Sequence, residues 1–388
     1  MEAPMPSAGR YYRPELDVVR FLAFLLVFIH HTTGGTHDSR VDSVFKGFAP
    51  YFYSATWACG EGLALFFTLS AFLICELLLR ERERAGTVSV RQFYIRRILR
   101  IWPLYYLALS LGMVVAFLPQ GNPSDSRMIG WFAIFMGAWY YTLRGFPQNP
   151  IGPLWSISVE EQFYLFAPWT VKYLTRKLLY GFCAVLIVVS NGWLYYFGKV
   201  SAENYRIWAD SFVEFEYFAF GILLCLVLRG RVPTLAIWMR IAGIAAGWFC
   251  WFYAGFGLHG YFGFGETPGS WQLIGIYALP ALGSVLIIFA SLGTNPKLLP
   301  AWAVYLGRIS FGLYAYHEFA ILVTTRLLIG HLASITGPIA FLKTGIELGL
   351  TVLMAALSYR FYETPFLKLK NRHTVIESQP IESAVASS

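Results

Sequence analysis

The residues of this sequence best able to do chemistry are ionisable side chains set inside apolar runs. The first long run, Leu16 to Thr33, carries Arg20 and ends on the pair His30 and His31. Eleven positions separate Arg20 from His31. On a helix that is three turns plus about 20°, with a rise of roughly 16 Å. The two side chains therefore share nearly one face, one near each end, and Asp17 lies close to the same face. A charge in a membrane-length segment costs several kcal/mol unless it meets a polar interior or a partner. The face thus reads as the wall of a site, with a cation to hold negative charge and an imidazole to move a proton. The alternative is an Asp17–Arg20 pair that only anchors the helix end at the headgroups.

Three further clusters have the same character. Phe93 to Tyr106 carries Arg96, Arg97 and Arg100, with Arg97 and Arg100 neighbours on one helix face. Paired guanidinium forks at a membrane surface suit a phosphorylated ligand, although basic residues also hold a loop inside by attracting anionic lipid. Glu160 and Glu161 are adjacent acids near the start of an apolar run, and one of them is expected to face the interior. His317 and Glu318 lie within another run, where His317 is either a site residue or a histidine hydrogen-bonded between packed helices. Glu363, close to Arg360, is expected to form an ion pair at the inner surface.

The elements that must position these residues follow from composition. Of 388 residues, 57% are hydrophobic and only 13% charged, where a soluble chain carries roughly 25% charged. Apolar runs of membrane length recur throughout, which defines an all-α, polytopic helical membrane protein. The net charge of +8 is no nucleic-acid footprint, because the basic residues lie between apolar runs. Cys59, Cys75, Cys183, Cys225 and Cys250 have no metal-site or disulfide spacing and are expected as core filler. No metal is expected.

About ten spans are predicted, near 15–33, 55–79, 101–118, 154–171, 178–197, 211–228, 241–257, 272–292, 309–328 and 336–357. Gly130 to Leu143, rich in Trp and Tyr, is too short to span and reads as an interfacial or re-entrant helix. With both termini cytoplasmic, 21 of the 30 basic residues fall in inner segments, the positive-inside pattern. Arg20 then lies toward the inner leaflet and His30 and His31 toward the outer. The chain divides into a short lead (1–14), one transmembrane domain (15–370) and a polar tail (371–388). The lead does not have the pattern of a cleaved signal peptide. Met1 to Arg10 and His373 to Ser388 are expected to be disordered.

Taken together, these stretches resemble the acyltransferase 3 family of integral-membrane O-acyltransferases. The resemblance is carried by Leu16-Asp17-x-x-Arg20 with His31 eleven residues after the arginine, by Gly62 to Ile74, by Phe93 to Tyr106, by Trp155 to Tyr164, by Ser310 to His317 and by Tyr359 to Pro365. Two positions depart from it: Ala64 stands where the family often has aspartate, and Ala71 where it has glycine. Glu61 is the nearest acid that could replace the first.

The resemblance implies transfer of an acyl group, often acetyl, from cytoplasmic acyl-CoA to a hydroxyl of a carbohydrate, a lipid-linked sugar or another metabolite. Acyl-CoA enters as co-substrate, and no bound cofactor is expected. It would make His31 the catalytic histidine and Arg20 its partner, set Glu160 at the family's glutamate position, and give Arg96, Arg97 and Arg100 to the donor site. Asp17, His30, Glu161 and His317 are further candidates to line it. The expected location is the plasma membrane, with the lipid bilayer as partner and no nucleic acid. A proton-coupled transporter or flippase of a lipid or glycoside would use Arg20, His31 and Glu160 equally well, but no inverted repeat is evident. A non-catalytic membrane sensor on the same fold is a third reading.

Overall fold

A backbone surrounded by hydrocarbon must satisfy its own hydrogen bonds, and each long apolar run of this chain accordingly forms a helix. The computed structural model describes residues 11–33, 46–118, 121–146, 149–260, 268–328, 338–374 and 376. Among them there is no strand. The helices are α1 (Pro14–Thr33), α2 (Ala49–Gly60), α3 (Gly62–Ala85), α4 (Val90–Ala116), α5 (Asp125–Ala133), α6 (Gly137–Arg144), α7 (Trp155–Tyr173) and α8 (Arg176–Lys199). They continue as α9 (Asn204–Trp208), α10 (Ser211–Leu228), α11 (Ile237–Phe256), α12 (Ser270–Ser291), α13 (Ala301–Arg308), α14 (Ser310–Leu328), α15 (Pro338–Ser358) and α16 (Thr364–Asn371). Among the described residues six segments are long and apolar enough to cross a membrane: α1, α2 and α3 taken together, α4, α8, α10 and α12. Helices also occupy the other expected spans, as α7, α11, α14 and α15.

The stretch 130–143 is two short helices rather than one. α5 ends at Ala133 and α6 begins at Gly137, with Phe135 between them at a φ of 57°. A non-glycine residue in that left-handed region breaks a helix, and neither half is long enough to cross a bilayer.

Helix α1 packs against α2, α3, α12, α13 and α14. Two glycines make that close approach possible. A Cβ on Gly307 would collide with the Asp17 carbonyl, and one on Gly62 with the Ala23 carbonyl. Small residues that let helix backbones approach are the usual packing device within a membrane. The buried side of α1 presents Leu16, Val19, Ala23, Phe24, Val27 and Phe28 to the core. On the periphery, Val185 and Val188 of α8 and Ile241 and Phe249 of α11 are exposed, as a lipid-facing surface requires. The five cysteines are free, and four of them are buried.

The start of the tail is less loose than the sequence suggests, and the chain is already packed at Tyr11. Tyr11 is buried, with the Arg80 guanidinium over its ring at 4.5 Å. His373 is anchored by a hydrogen bond between its Nδ1 and Gln92 Oε1 at 2.9 Å, and its carbonyl accepts from Arg96 at 3.0 Å. The disorder expected for Met1 to Arg10 and for the tail beyond Ile376 falls outside the described residues.

Candidate functional site

At one end of α1 several elements bring cations together. α1 supplies Arg20, α4 supplies Arg96, Arg97 and Arg100, α13 supplies Arg308 and α16 supplies Lys370. All six line one cavity of about 370 Å³, together with Asp17, Glu81 and Glu363. Arg20 donates to Asp17 Oδ1 at 2.8 Å, and Tyr12 donates to the other oxygen at 3.0 Å. Arg96 is held by Glu81 at 2.8 Å.

The remaining cations are less satisfied. The Arg97 guanidinium lies over the rings of Phe93 and Tyr164, at 5.4 Å and 5.3 Å from their centroids, and its buried Nε has no hydrogen-bond partner. The Nε of Arg308 is likewise buried without a partner. Lys370 is buried, and among the described residues no acid pairs with it. Burial, reinforced by Arg100 and Arg97, pushes its amine down to about 7. Unpaired buried cations are costly, so this cavity is built to receive an anion.

Glu363 corrects an expectation. It forms no ion pair with Arg360. The turn Tyr359–Glu363 is π-helical, one residue wider than an α-turn. It swings Glu363 inward, where Ser358 donates to it at 3.1 Å, while Arg360 stays outside over the Phe361 ring. Burial pushes the Glu363 carboxyl up to about 7.

A second cavity of about 100 Å³ adjoins the first and shares Arg20, Ser70, Arg97, Arg100 and Phe311 with it. It continues along α7 to Glu160 and Ser156 and ends at Tyr314. Tyr164 donates to Glu160 Oε2 at 2.8 Å. The Tyr314 hydroxyl is held by the Pro153 carbonyl and by Ser156 Oγ, each at 2.9 Å.

The other end of α1 carries a different arrangement. His31 Nδ1 lies 2.9 Å from His317 Nε2. His317 Nδ1 lies 2.7 Å from the Tyr314 carbonyl. Glu318 Oε1 is 3.7 Å from both His31 Nδ1 and His317 Nε2. His31 keeps 31% of its side chain accessible whereas His317 is sealed, so one imidazole can meet a substrate and the other cannot. The ligand atoms of His31, His317 and Glu318 lie within 4.8 Å of one another, a spacing that a metal ion could also occupy.

Arg20 and His31 do not line the same one of these two cavities. Arg20 lines both cavities and His31 lines neither. Tyr314 intervenes, its hydroxyl in the second cavity and its carbonyl on His317. The expected residues sort into two groups: Asp17, Arg20, Arg96, Arg97, Arg100 and Glu160 at the cationic end, His31 and His317 at the other.

Two expected residues belong to neither group. His30 Nδ1 bonds the Thr56 carbonyl at 2.9 Å and the ring stacks on Trp208, against α2 and α9. Glu161 turns to Trp102, whose indole donates to it at 3.4 Å. Glu61 also lies away from the cations, in a small pocket with Trp57, Trp208, Tyr217 and Tyr277. Arg308, Lys370, Tyr314 and the role of Glu318 escaped sequence reasoning. The first two sit in ordinary basic flanks; Tyr314 is three residues before His31's partner, a spacing that periodicity around His317 points to, whereas Glu318 is its immediate neighbour.

Comparison with known proteins agrees with this architecture. The family model described as an acyltransferase domain matches residues 13–360, and the chain belongs to that family. A Staphylococcus aureus MSSA476 protein named as a candidate O-acetyltransferase is 26% identical over 384 residues, covering 92% of this chain and 58% of its own length. The O-acetyltransferase OatA of Staphylococcus aureus NCTC 8325 is 25% identical over 386 residues, covering 92% of this chain and 57% of its own. The chain thus spans less than two-thirds of the length of the curated relatives it matches. No solved structure matches the chain at a significant level.

Proposed function

We propose that this chain is a multi-pass O-acetyltransferase of the plasma membrane, crossing it ten times with both ends in the cytoplasm, that moves acetyl from cytoplasmic acyl-CoA to a hydroxyl of a carbohydrate or lipid-linked sugar on the outer side. The observation that carries this reading is the division of labour along α1, with an anion-receiving cavity at one end and an accessible imidazole at the other. Four of the six segments whose basic content marks them as inner contribute to the cationic end: Arg13, Glu81, Arg96, Arg308 and Lys370 line the same cavity. Coenzyme A carries phosphates, and buried, unpaired guanidinium groups bind phosphate by charge-assisted forks. The pantetheine arm would follow the second cavity past Ser70 and Glu160 toward Tyr314, which swings aside to admit the thioester.

At His31 the acceptor hydroxyl gives its proton to the free ring nitrogen as its oxygen attacks the thioester carbonyl. The new C–O bond forms, the C–S bond breaks, and the departing thiolate recovers the proton from the imidazolium. A positioned base of this kind contributes roughly 10²–10⁴-fold. Arg20 stands roughly 16 Å away along the helix, too far to touch the reacting carbonyl, so its work is on the donor. Glu160 serves the same cavity as counter-charge to the guanidinium groups.

The test is purified protein in lipid nanodiscs, incubated with acetyl-labelled acetyl-CoA, with hydrolysis and transfer to extracted surface glycans measured. Labelled ester that disappears in His31→Ala supports the reading. Wild-type rates from His31→Ala remove the base assignment, and movement of intact lipid or glycoside without acetyl transfer favours a transporter.

A further inference from the structure

His317 is sealed from solvent, lines neither of the two cavities described above, and has no part in the reaction described above. Its surroundings nevertheless dictate where its protons lie. A backbone carbonyl can only accept a hydrogen bond, so the 2.7 Å contact with the Tyr314 carbonyl puts a proton on His317 Nδ1. In a neutral ring Nε2 is then a bare acceptor. That atom is 2.9 Å from His31 Nδ1, so His31 must carry its own proton on Nδ1. The second nitrogen of His31, Nε2, is left bare, and among the described residues nothing bonds it. The two ring planes are within 14° of parallel, with centroids 5.0 Å apart.

We propose that His317 is the positioning residue of the proton transfer, holding His31 in the tautomer whose base faces the accessible side, with Glu318 as the counter-charge when His31 becomes imidazolium. The inference rests on the reading of His31 as general base. It follows from what can donate and what can accept along one chain, Tyr314 carbonyl to His317 to His31. A free histidine divides its proton between two nitrogens; this one has no choice. After proton transfer, His31 Nδ1–H still donates to His317, now as the stronger, charge-assisted bond. The carboxylate 3.7 Å from both rings opposes the new charge. An orienting carboxylate does the same service for the histidine of serine proteases, where the wrong tautomer drops turnover about 10⁴-fold. Here a neutral imidazole does it.

The titratable and charged groups facing His31 are His30 on its own helix and His317 and Glu318 on α14. Behind Glu318 stands Glu347 of α15, paired with Lys343 at 3.5 Å. Removing His317 changes the hydrogen bonding and charge at His31, so the acid limb of kcat should be displaced.

The experiment compares His317→Ala, His317→Leu and His317→Gln in nanodiscs with acetyl-CoA, reading kcat, KM for acetyl-CoA and the pH profile. Acetyl-CoA binding to each variant reports that the bundle is intact. Alanine and leucine should each lower kcat by roughly 10²–10⁴-fold, leave KM within a few-fold and displace the acid limb. Glutamine, whose amide donates to Tyr314 and accepts from His31, should recover at least tenfold over alanine. Equal losses in all three variants with an unmoved acid limb would overturn the proposal, leaving His317 a packing residue. Activity abolished by a chelator and restored by zinc would also overturn it, in favour of a metal held by His31, His317 and Glu318. Turnover retained by His31→Ala sinks the parent reading instead, and is scored separately from the His317 series.

Discussion

The two ends of α1 solve different problems by different means. At the cationic end, four helices bring Arg20, Arg97, Arg100, Arg308 and Lys370 to one cavity. Attraction for an anion sums over many such groups, so no single one is indispensable. At the other end a single file of hydrogen bonds runs from the Tyr314 carbonyl through His317 to His31. Each member has one partner on each side, and losing one breaks the file. The comparison teaches that charge tolerates redundancy where proton direction does not.

The largest expected effect tests the file. His31→Ala should lower kcat by at least 10²-fold while acetyl-CoA binding, measured by calorimetry, stays unchanged. Comparable losses of binding and turnover would blur the division between the ends. Next come the unpaired guanidinium groups. Arg97→Ala or Arg100→Ala each removes a charge-assisted contact of roughly 1.5–3 kcal/mol, which raises the KM for acetyl-CoA about 10- to 100-fold with a smaller change in kcat.

Lys370 sharpens the same contrast through pH. Its amine sits at about 7 in the free cavity, and only the protonated form attracts phosphate. As pH rises through 7 that form is lost, so donor affinity should fall. Glu363, also near 7, gains negative charge over the same range and pushes the same way. Arg20, Arg97 and Arg100 face the same cavity. Lys370→Ala should raise donor KM several-fold at pH 6.5 and flatten its rise toward pH 8, whereas Lys370→Arg should keep the affinity and lose the slope. A wild-type KM that does not change across this range would contradict the assignment. Arg96→Ala is expected to matter least to KM, because Glu81 and the His373 carbonyl already occupy that guanidinium. Its cost should appear as a lowered thermal unfolding temperature.

Much of this was legible in the sequence because membranes leave few options. A run such as Leu16 to Thr33 must be a helix in hydrocarbon, and an eleven-residue spacing on a helix fixes direction and rise. That placed Arg20 and His31 at opposite ends of one element before any contact was known. The barrier between them was not legible, since it depends on where Tyr314 of α14 sits against α7, a tertiary fact. Nor was Lys370 legible, because a basic residue after a last span has a sufficient topological explanation. The Glu363 turn was missed for a local reason: α-helical spacing puts Arg360 three residues away on a neighbouring face, and the π-turn undoes that spacing. The break at Phe135 is of the same kind, a single left-handed residue that composition gives no hint of.

The central claim, that donor and proton-accepting group occupy opposite ends of one helix, is most directly tested by an oriented proteoliposome assay. Protein is reconstituted with one face outward, acetyl-CoA is supplied to one side at a time, and its consumption is followed. Turnover only when acetyl-CoA meets the face that bears Arg96 and Lys370, lost in His31→Ala, is the predicted result. Equal consumption from either face, or consumption only from the face where His31 opens, would contradict it.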